Sequence, residues 1–168
     1  MSGDHSTTTD HAPLRTVLFV CTGNTCRSPM AQAIAEELLR GSRGGADFFV
    51  ASAGVAAGSG APATPEAIRA IEHIGVTPID HRSTPLSEAM VERAEAVFGL
   101  TASHVDAIRA MAPDAGDKIR LLDPTGADVP DPIGQGPEVY LETARRLRTL
   151  VAHRLRELGV EVNAEVGT

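Results

Sequence analysis

Apolar and polar positions alternate along the chain in blocks of changing period. Residues 16–20 (TVLFV) form a short β-branched apolar run, the pattern of a strand buried on both faces. A polar, glycine-containing turn follows over residues 21–28. Pro29 then suits the first turn of a helix, where its missing N–H costs nothing. Met30, Ala33, Ile34 and Leu38 recur at helical spacing, and the segment ends at Gly41 and Gly44–Gly45. Residues 48–51 predict a second strand, and the Gly/Ala/Ser/Pro-rich stretch 54–65 predicts a loop. Thr64 caps a helix with Pro65 and Glu66 in its first turn and a stripe of Ala67, Ile71 and Ile74, stopped by Gly75. Residues 86–93 predict a short helix, 96–100 a third strand, 101–111 a helix and 119–122 a fourth strand. An irregular stretch dense in Pro, Gly and Asp covers 123–137. The last helix, 138–158, carries Leu147, Leu150, Val151, Leu155 and Leu158 on one face, and Gly159 ends it.

Strand and helix alternate throughout, which predicts an α/β fold: a single-domain parallel four-stranded sheet with helices on both faces. The expected domain spans 15–159, between a disordered tail over 1–14 and a C-terminal tail over 160–168. A chain of 168 residues buries enough surface to need no disulfide or metal staple.

The net charge of −7, from 15 basic against 22 acidic residues, argues against nucleic acid or an anionic membrane as general partners. The only two cysteines, Cys21 and Cys26, cannot build a secreted disulfide framework. No apolar run approaches the ~20 residues needed to span a bilayer. The N-terminus lacks the basic and apolar regions of a secretory signal, so the cytoplasm is the expected compartment and a monomer the expected state. With four Phe, one Tyr and no Trp, an aromatic-walled binding cleft is hard to build.

The chemistry-bearing segment is the first strand-to-helix turn, Cys21-Thr22-Gly23-Asn24-Thr25-Cys26-Arg27-Ser28. Backbone N–H groups converge at such a turn, and the helix dipole adds positive potential, which makes it an anion site. Gly23 and Asn24 tolerate the left-handed backbone that a nest requires. Arg27 offers a planar donor fork for phosphate oxygens, and the N–H dipoles with the guanidinium favour a thiolate at Cys21. Thiolate plus phosphate cradle means nucleophilic phosphoryl chemistry. A free cysteine on its own is more often a small buried hydrophobe; the full C-x5-R-S string at a strand–helix junction reverses that reading. A nucleotide P-loop would need a Lys before the Ser or Thr and has no nucleophile, so it does not fit.

The chemistry also needs a proton donor for the leaving group. Asp131, held between Pro130 and Pro132, is a candidate. Asp123-Pro124 is a second such pair, and spacing alone does not choose between them. No His/Cys/carboxylate cluster has metal-ligand spacing, and neither a metal nor another cofactor is expected. Of the six histidines, His5 and His11 lie in the tail, while His73, His104 and His153 fall on helices and read as surface residues.

The string VLFVCTGNTCRSPMA, with SAG at residues 52–54 and Asp-Pro at Asp131, resembles the low-molecular-weight protein tyrosine phosphatase family from about residue 16 to 158. That resemblance implies Cys21 as nucleophile, Arg27 as phosphate clamp and Asp131, rather than Asp123, as general acid. Thr22, Gly23, Asn24, Thr25, Cys26 and Ser28 become the phosphate-binding loop, with Asn24 and Ser28 holding its shape. Ser52 and His81 match a supporting shell, and Cys26 matches a second cysteine that in relatives forms a reversible disulfide with the first. The implied reaction passes through a phosphocysteine, hydrolysed by a water that Asp131 activates.

Substrate class turns on fewer residues. Tyrosine phosphatases of this family carry an aliphatic residue where this chain has Thr25, and aromatic walls where it has Ile133 and Ala56 or Ala57. The loop CTGNTCRS instead resembles the bacterial protein arginine phosphatase branch, whose Thr can orient against a guanidinium. Ile133 departs from both branches. The expectation is therefore a phosphatase acting on phosphorylated protein, with phosphoarginine ahead of phosphotyrosine. An arsenate reductase, which needs further cysteines for its relay, and a non-catalytic phosphate-binding module are the remaining alternatives.

Overall fold

The computed structural model describes residues 12–163. Strand β1 (Arg15–Cys21) is followed by α1 (Arg27–Arg40), β2 (Phe48–Gly54), α2 (Pro65–His73), α3 (Glu88–Arg93), β3 (Ala96–Gly99), α4 (Ala102–Met111), β4 (Ile119–Leu121) and α5 (Pro137–Glu157). The four strands lie in the order β2-β1-β3-β4, and every pairing is parallel. Chain order reverses beside β1: one neighbour is reached through α1, and the other only after α2 and α3. In an open parallel sheet such a reversal leaves a crevice at the carboxyl ends of the strands.

β1 is apolar throughout its centre because both of its faces are covered. Val17, Leu18, Phe19 and Val20 are all fully buried. Val17 and Phe19 pack into the layer formed with α1, α2 and α5, while Leu18 and Val20 pack with α3 and α4. Phe19 stacks on Phe98 of β3 at 6.0 Å between centroids. Each such side chain contributes roughly 1.5–3 kcal/mol of apolar burial. In α5, Leu147, Val151 and Leu155 face α1 and α2. The same helix buries Arg154, whose Nε donates to Leu122 O (2.9 Å) and whose Nη2 donates to Leu121 O (2.7 Å). Its guanidinium also lies over the Phe98 ring, so one basic side chain closes the end of β4 against the helix.

The structure moves several of the expected boundaries. β2 runs on through Ser52, Ala53 and Gly54 because these residues continue the ladder opposite Phe19, Val20 and Cys21. α1 starts at Arg27, with Pro29 inside its first turn. Residues 86 and 87 precede α3, where the Ser87 hydroxyl accepts from the Met90 N–H. Thr101 caps α4 rather than belonging to it, and the last helix starts at Pro137. The C-terminal tail expected from residue 160 is in part packed structure. Val160 and Val162 are buried in the core, and the Glu161 N–H donates to Arg43 O at 3.0 Å. Residues 1–11 and 164–168, with His5 and His11, lie outside the described residues. Among the described residues no helix is long and apolar enough to cross a membrane.

Asp123 anchors the start of the long irregular segment between β4 and α5. It is buried, and its carboxylate accepts from Arg146 Nη2 (2.8 Å), the Thr125 N–H (2.8 Å) and the Thr125 hydroxyl (2.7 Å). The hydrogen bond from Arg146, then those from Thr125, hold its carboxyl well below the ordinary 3.8, at about 2. A depressed carboxyl stabilises the fold above its unfolded value, and that contribution disappears as pH falls towards the folded value. Asp123→Ala should therefore cost on the order of 2 kcal/mol at neutral pH. Urea titrations should show this gap from the parent protein narrowing as pH falls from about 5 towards about 2.

Candidate active site

The turn that carries the nest is short and closely supported. Cys21 is the last residue of β1, opposite Gly54 of β2, and is buried. The Val55 N–H donates to Cys21 O (2.9 Å), and the Ala56 N–H donates to Thr22 O (3.0 Å). A Cβ on Gly54 would stand 2.4 Å from Thr22 O and 3.0 Å from the Asn24 nitrogen, both backbone atoms. Glycine at 54 is what lets β2 lie directly against the loop.

Asn24 bends the loop. It is the only non-glycine among the described residues with a positive φ, at 55°, and it is fully buried. Its Nδ2 donates to Ser28 Oγ (2.8 Å) and Ser52 Oγ (3.0 Å), and its Oδ1 accepts from the Thr84 N–H (2.9 Å). His81 Nε2 lies 2.6 Å from Asn24 O and must be the donor, since a carbonyl only accepts. Ser52, His81 and Ser28 therefore act on one residue. Behind Ser52 stands Gln32, whose Oε1 accepts the Ser52 hydroxyl proton at 2.6 Å. The sequence reading passed over Gln32, although its i, i+4 spacing from Ser28 sets both on one face of α1.

Ser28 Oγ lies 2.9 Å from Cys21 Sγ. Asn24 donates to the same oxygen, and the Ser28 hydroxyl proton can turn to Cys21 Sγ or to Ala53 O, 3.5 Å away. Cys26, at the N-cap of α1, is also buried. Burial, reinforced by Asp131 and Cys21, pushes its thiol up to about 12, so it stays protonated at neutral pH. Both cysteines are free.

Arg27, the first residue of α1, is buried with its guanidinium spanning three groups. Nη1 donates to Val129 O (3.0 Å), and Nη2 reaches Thr22 Oγ1 (3.5 Å) and Asp131 Oδ2 (3.6 Å). The loop that carries Asp131 is pinned on its other side: the Val129 N–H donates to Leu100 O (2.9 Å), and Asp128 Oδ1 accepts from the Ala102 N–H (2.8 Å). Asp131 Oδ1 accepts from the Ile133 N–H (3.0 Å), which leaves Oδ2 facing the guanidinium. Asp131 is thus set beside the nest, whereas Asp123 is set against Arg146.

Thr25 is half-buried, and its hydroxyl has no hydrogen-bond partner among the described residues. Its carbonyl accepts from the Thr64 N–H at 2.8 Å, which ties the rim of the nest to the start of α2. Ile133 is 59% exposed, and Ala56 is exposed.

One expectation fails at His104. It is no surface residue: it is 3% exposed, and its Nε2 lies 2.8 Å from Thr22 Oγ1 in the nest. The available signal was the Thr101-x-x-His104 spacing after β3, a capping box that the structure shows in full. His73 and His153 are exposed, as expected.

The protein-arginine-phosphatase of Bacillus subtilis (strain 168) is 37% identical over 148 residues, covering 84% of this chain and 95% of that protein. A mutant of the YwlE arginine phosphatase, solved with a phosphorylated active-site serine, superposes with a TM-score of 0.79 at 34% identity, covering 86% of this chain and 95% of that one. A low molecular weight protein tyrosine phosphatase from T. tengcongensis gives a TM-score of 0.79 at 37% identity, covering 85% of this chain and 99% of that one. The family model for low molecular weight phosphotyrosine protein phosphatases matches residues 16–166, and the chain belongs to that family.

Proposed function

We propose that this protein is a cysteine-dependent protein phosphatase whose substrate is protein phosphoarginine. The observation that carries this reading is the Arg27 guanidinium, whose Nη2 stands between Thr22, the neighbour of Cys21 in the nest, and the Asp131 carboxylate. In this reading the Cys21 thiolate attacks phosphorus in line, and the P–O or P–N bond to the leaving group breaks. Asp131 gives that leaving atom a proton. A phosphocysteine is left, and Asp131 then takes a proton from the water that hydrolyses it. Arg27 and the N–H groups of residues 22–27 hold the equatorial oxygens in both steps. Ser28 supports the thiolate, and Asn24, Ser52, His81 and Gln32 hold the loop in shape. A phosphorylated active-site serine in the related YwlE structure is in keeping with a covalent intermediate at the first residue of the nest.

Thr25 favours phosphoarginine. Its hydroxyl is free to meet a polar guanidinium, and alanine at 56 and isoleucine at 133 supply no ring to stack on a phenol. A relative that the chain matches over most of its length is named a protein-arginine-phosphatase. With only two cysteines, the chain lacks the third thiol of an arsenate relay.

The deciding measurement is kcat/KM for a phosphoarginine peptide against the matched phosphotyrosine peptide; equal values, or a phosphotyrosine preference, would remove the substrate assignment. Thr25→Ile should move that ratio towards phosphotyrosine by roughly tenfold or more, the worth of one polar contact at a reacting centre. Cys21→Ser should abolish turnover while inorganic phosphate still binds, read by calorimetry. Asp131→Asn should slow poorly activated leaving groups by about a hundredfold or more while sparing p-nitrophenyl phosphate in part. An equal loss on both would exclude an acid role.

A further inference from the structure

We propose that His104 is a positioning residue for phosphoryl transfer: its Nε2–H fixes the Thr22 hydroxyl so that the hydroxyl's own proton is directed at a phosphoryl oxygen in the nest. The inference rests on the reading of the nest as the phosphoryl site.

The hydrogen bonds around His104 set the direction of every proton in the chain. The Thr101 N–H donates to His104 Nδ1 at 3.1 Å, so that nitrogen carries a lone pair and the ring proton sits on Nε2. Nε2–H therefore donates to Thr22 Oγ1 across 2.8 Å. Arg27 Nη2 approaches the same oxygen at 3.5 Å, and a guanidinium only donates. With both acceptor positions of Thr22 facing donors, its O–H is left to point away from them. Thr22 is solvent-exposed and follows Cys21 directly, so that proton is open to an anion bound in the nest.

The ring is also kept in the form this needs. Burial, then the adjacent Arg27 charge, pulls His104 down to about 4 against the opposing pull of Asp128 and Asp131. Capping α4 requires Nδ1 alone. The approach of Nε2 to the nest is a second and separate contact, made across 82 residues of chain.

The two contacts can be separated by substitution. His104→Asn keeps an acceptor for the Thr101 N–H but falls short of Thr22, whereas His104→Gln carries an N–H to where Nε2 stands. Steady-state kinetics with p-nitrophenyl phosphate and with a phosphoarginine peptide, alongside melting curves, test the role. His104→Asn should lower kcat by roughly tenfold with KM and melting temperature little changed. His104→Gln should recover a large part of that rate. Thr22→Val should lose about as much as His104→Asn, and the double variant should lose no more than Thr22→Val alone.

The proposal is overturned if His104→Asn keeps the parent kcat. It is equally overturned if its loss merely follows a fall in melting temperature, or if the two losses multiply in the double variant. If the parent protein turns over neither p-nitrophenyl phosphate nor the phosphoarginine peptide, the phosphatase reading itself falls and takes this role with it. Should His104→Asn fail to fold, the kcat of Thr22→Val and of His104→Gln decides by the same criteria.

Discussion

The left-handed turn at Asn24 is the constraint on which the nest depends. A non-glycine residue held at a φ of 55° carries backbone strain of about 1 kcal/mol or more unless its surroundings compensate. Here they do so from four directions: Ser28 in α1, Ser52 in β2, and His81 and Thr84 in the segment between α2 and α3. The side-chain amide and carbonyl of Asn24 are both in use, and no buried polar side-chain atom among the described residues lacks a partner. The loop is therefore shaped before any anion arrives, which spares the reorganisation that a flexible cradle would undergo during reaction.

Arg27 shows how one side chain can serve two segments. Its bond to the Val129 carbonyl holds the loop that carries Asp131, while the other end of the fork turns towards Thr22 and Asp131. A lysine could not do this, because an ammonium lacks the fixed separation of two donor nitrogens. The Gly54 contact works in the same direction from below. The strand touches the loop backbone itself, so the position of the nest is set by the sheet rather than by side-chain packing.

What the sequence revealed followed from local rules. The run 16–20 read as a strand because β1 is covered on both faces, and Thr64 read as a cap because its hydroxyl does accept from the Ala67 N–H. The nest was legible because its residues are consecutive. Spacing alone did not choose between Asp131 and Asp123, since both precede a proline; the family resemblance pointed to Asp131, and the partners Arg27 and Arg146, each distant in sequence, give the two carboxylates different surroundings. Residues 52–54 fell outside the expected second strand because small residues carry no strand signal of their own; their state is set by pairing with β1. His104 and Arg154 were misjudged or missed for a related reason. Burial of a polar side chain shows only when its distant partner, Thr22 or the end of β4, is in place.

The placement of the Asp131 loop bears on the order in which the site is assembled during synthesis. Cys21 and Arg27 leave the ribosome before Thr84, Leu100 and Asp131, which come from progressively later parts of the chain. Because β1 lies inside the sheet, it cannot be flanked on both sides until β3 has been made. A nascent chain therefore carries Cys21 before the partners that shape its loop and before Asp131. The site is complete only once the segment leading into α5 has docked, and chains released before that point would carry a thiol but no finished site.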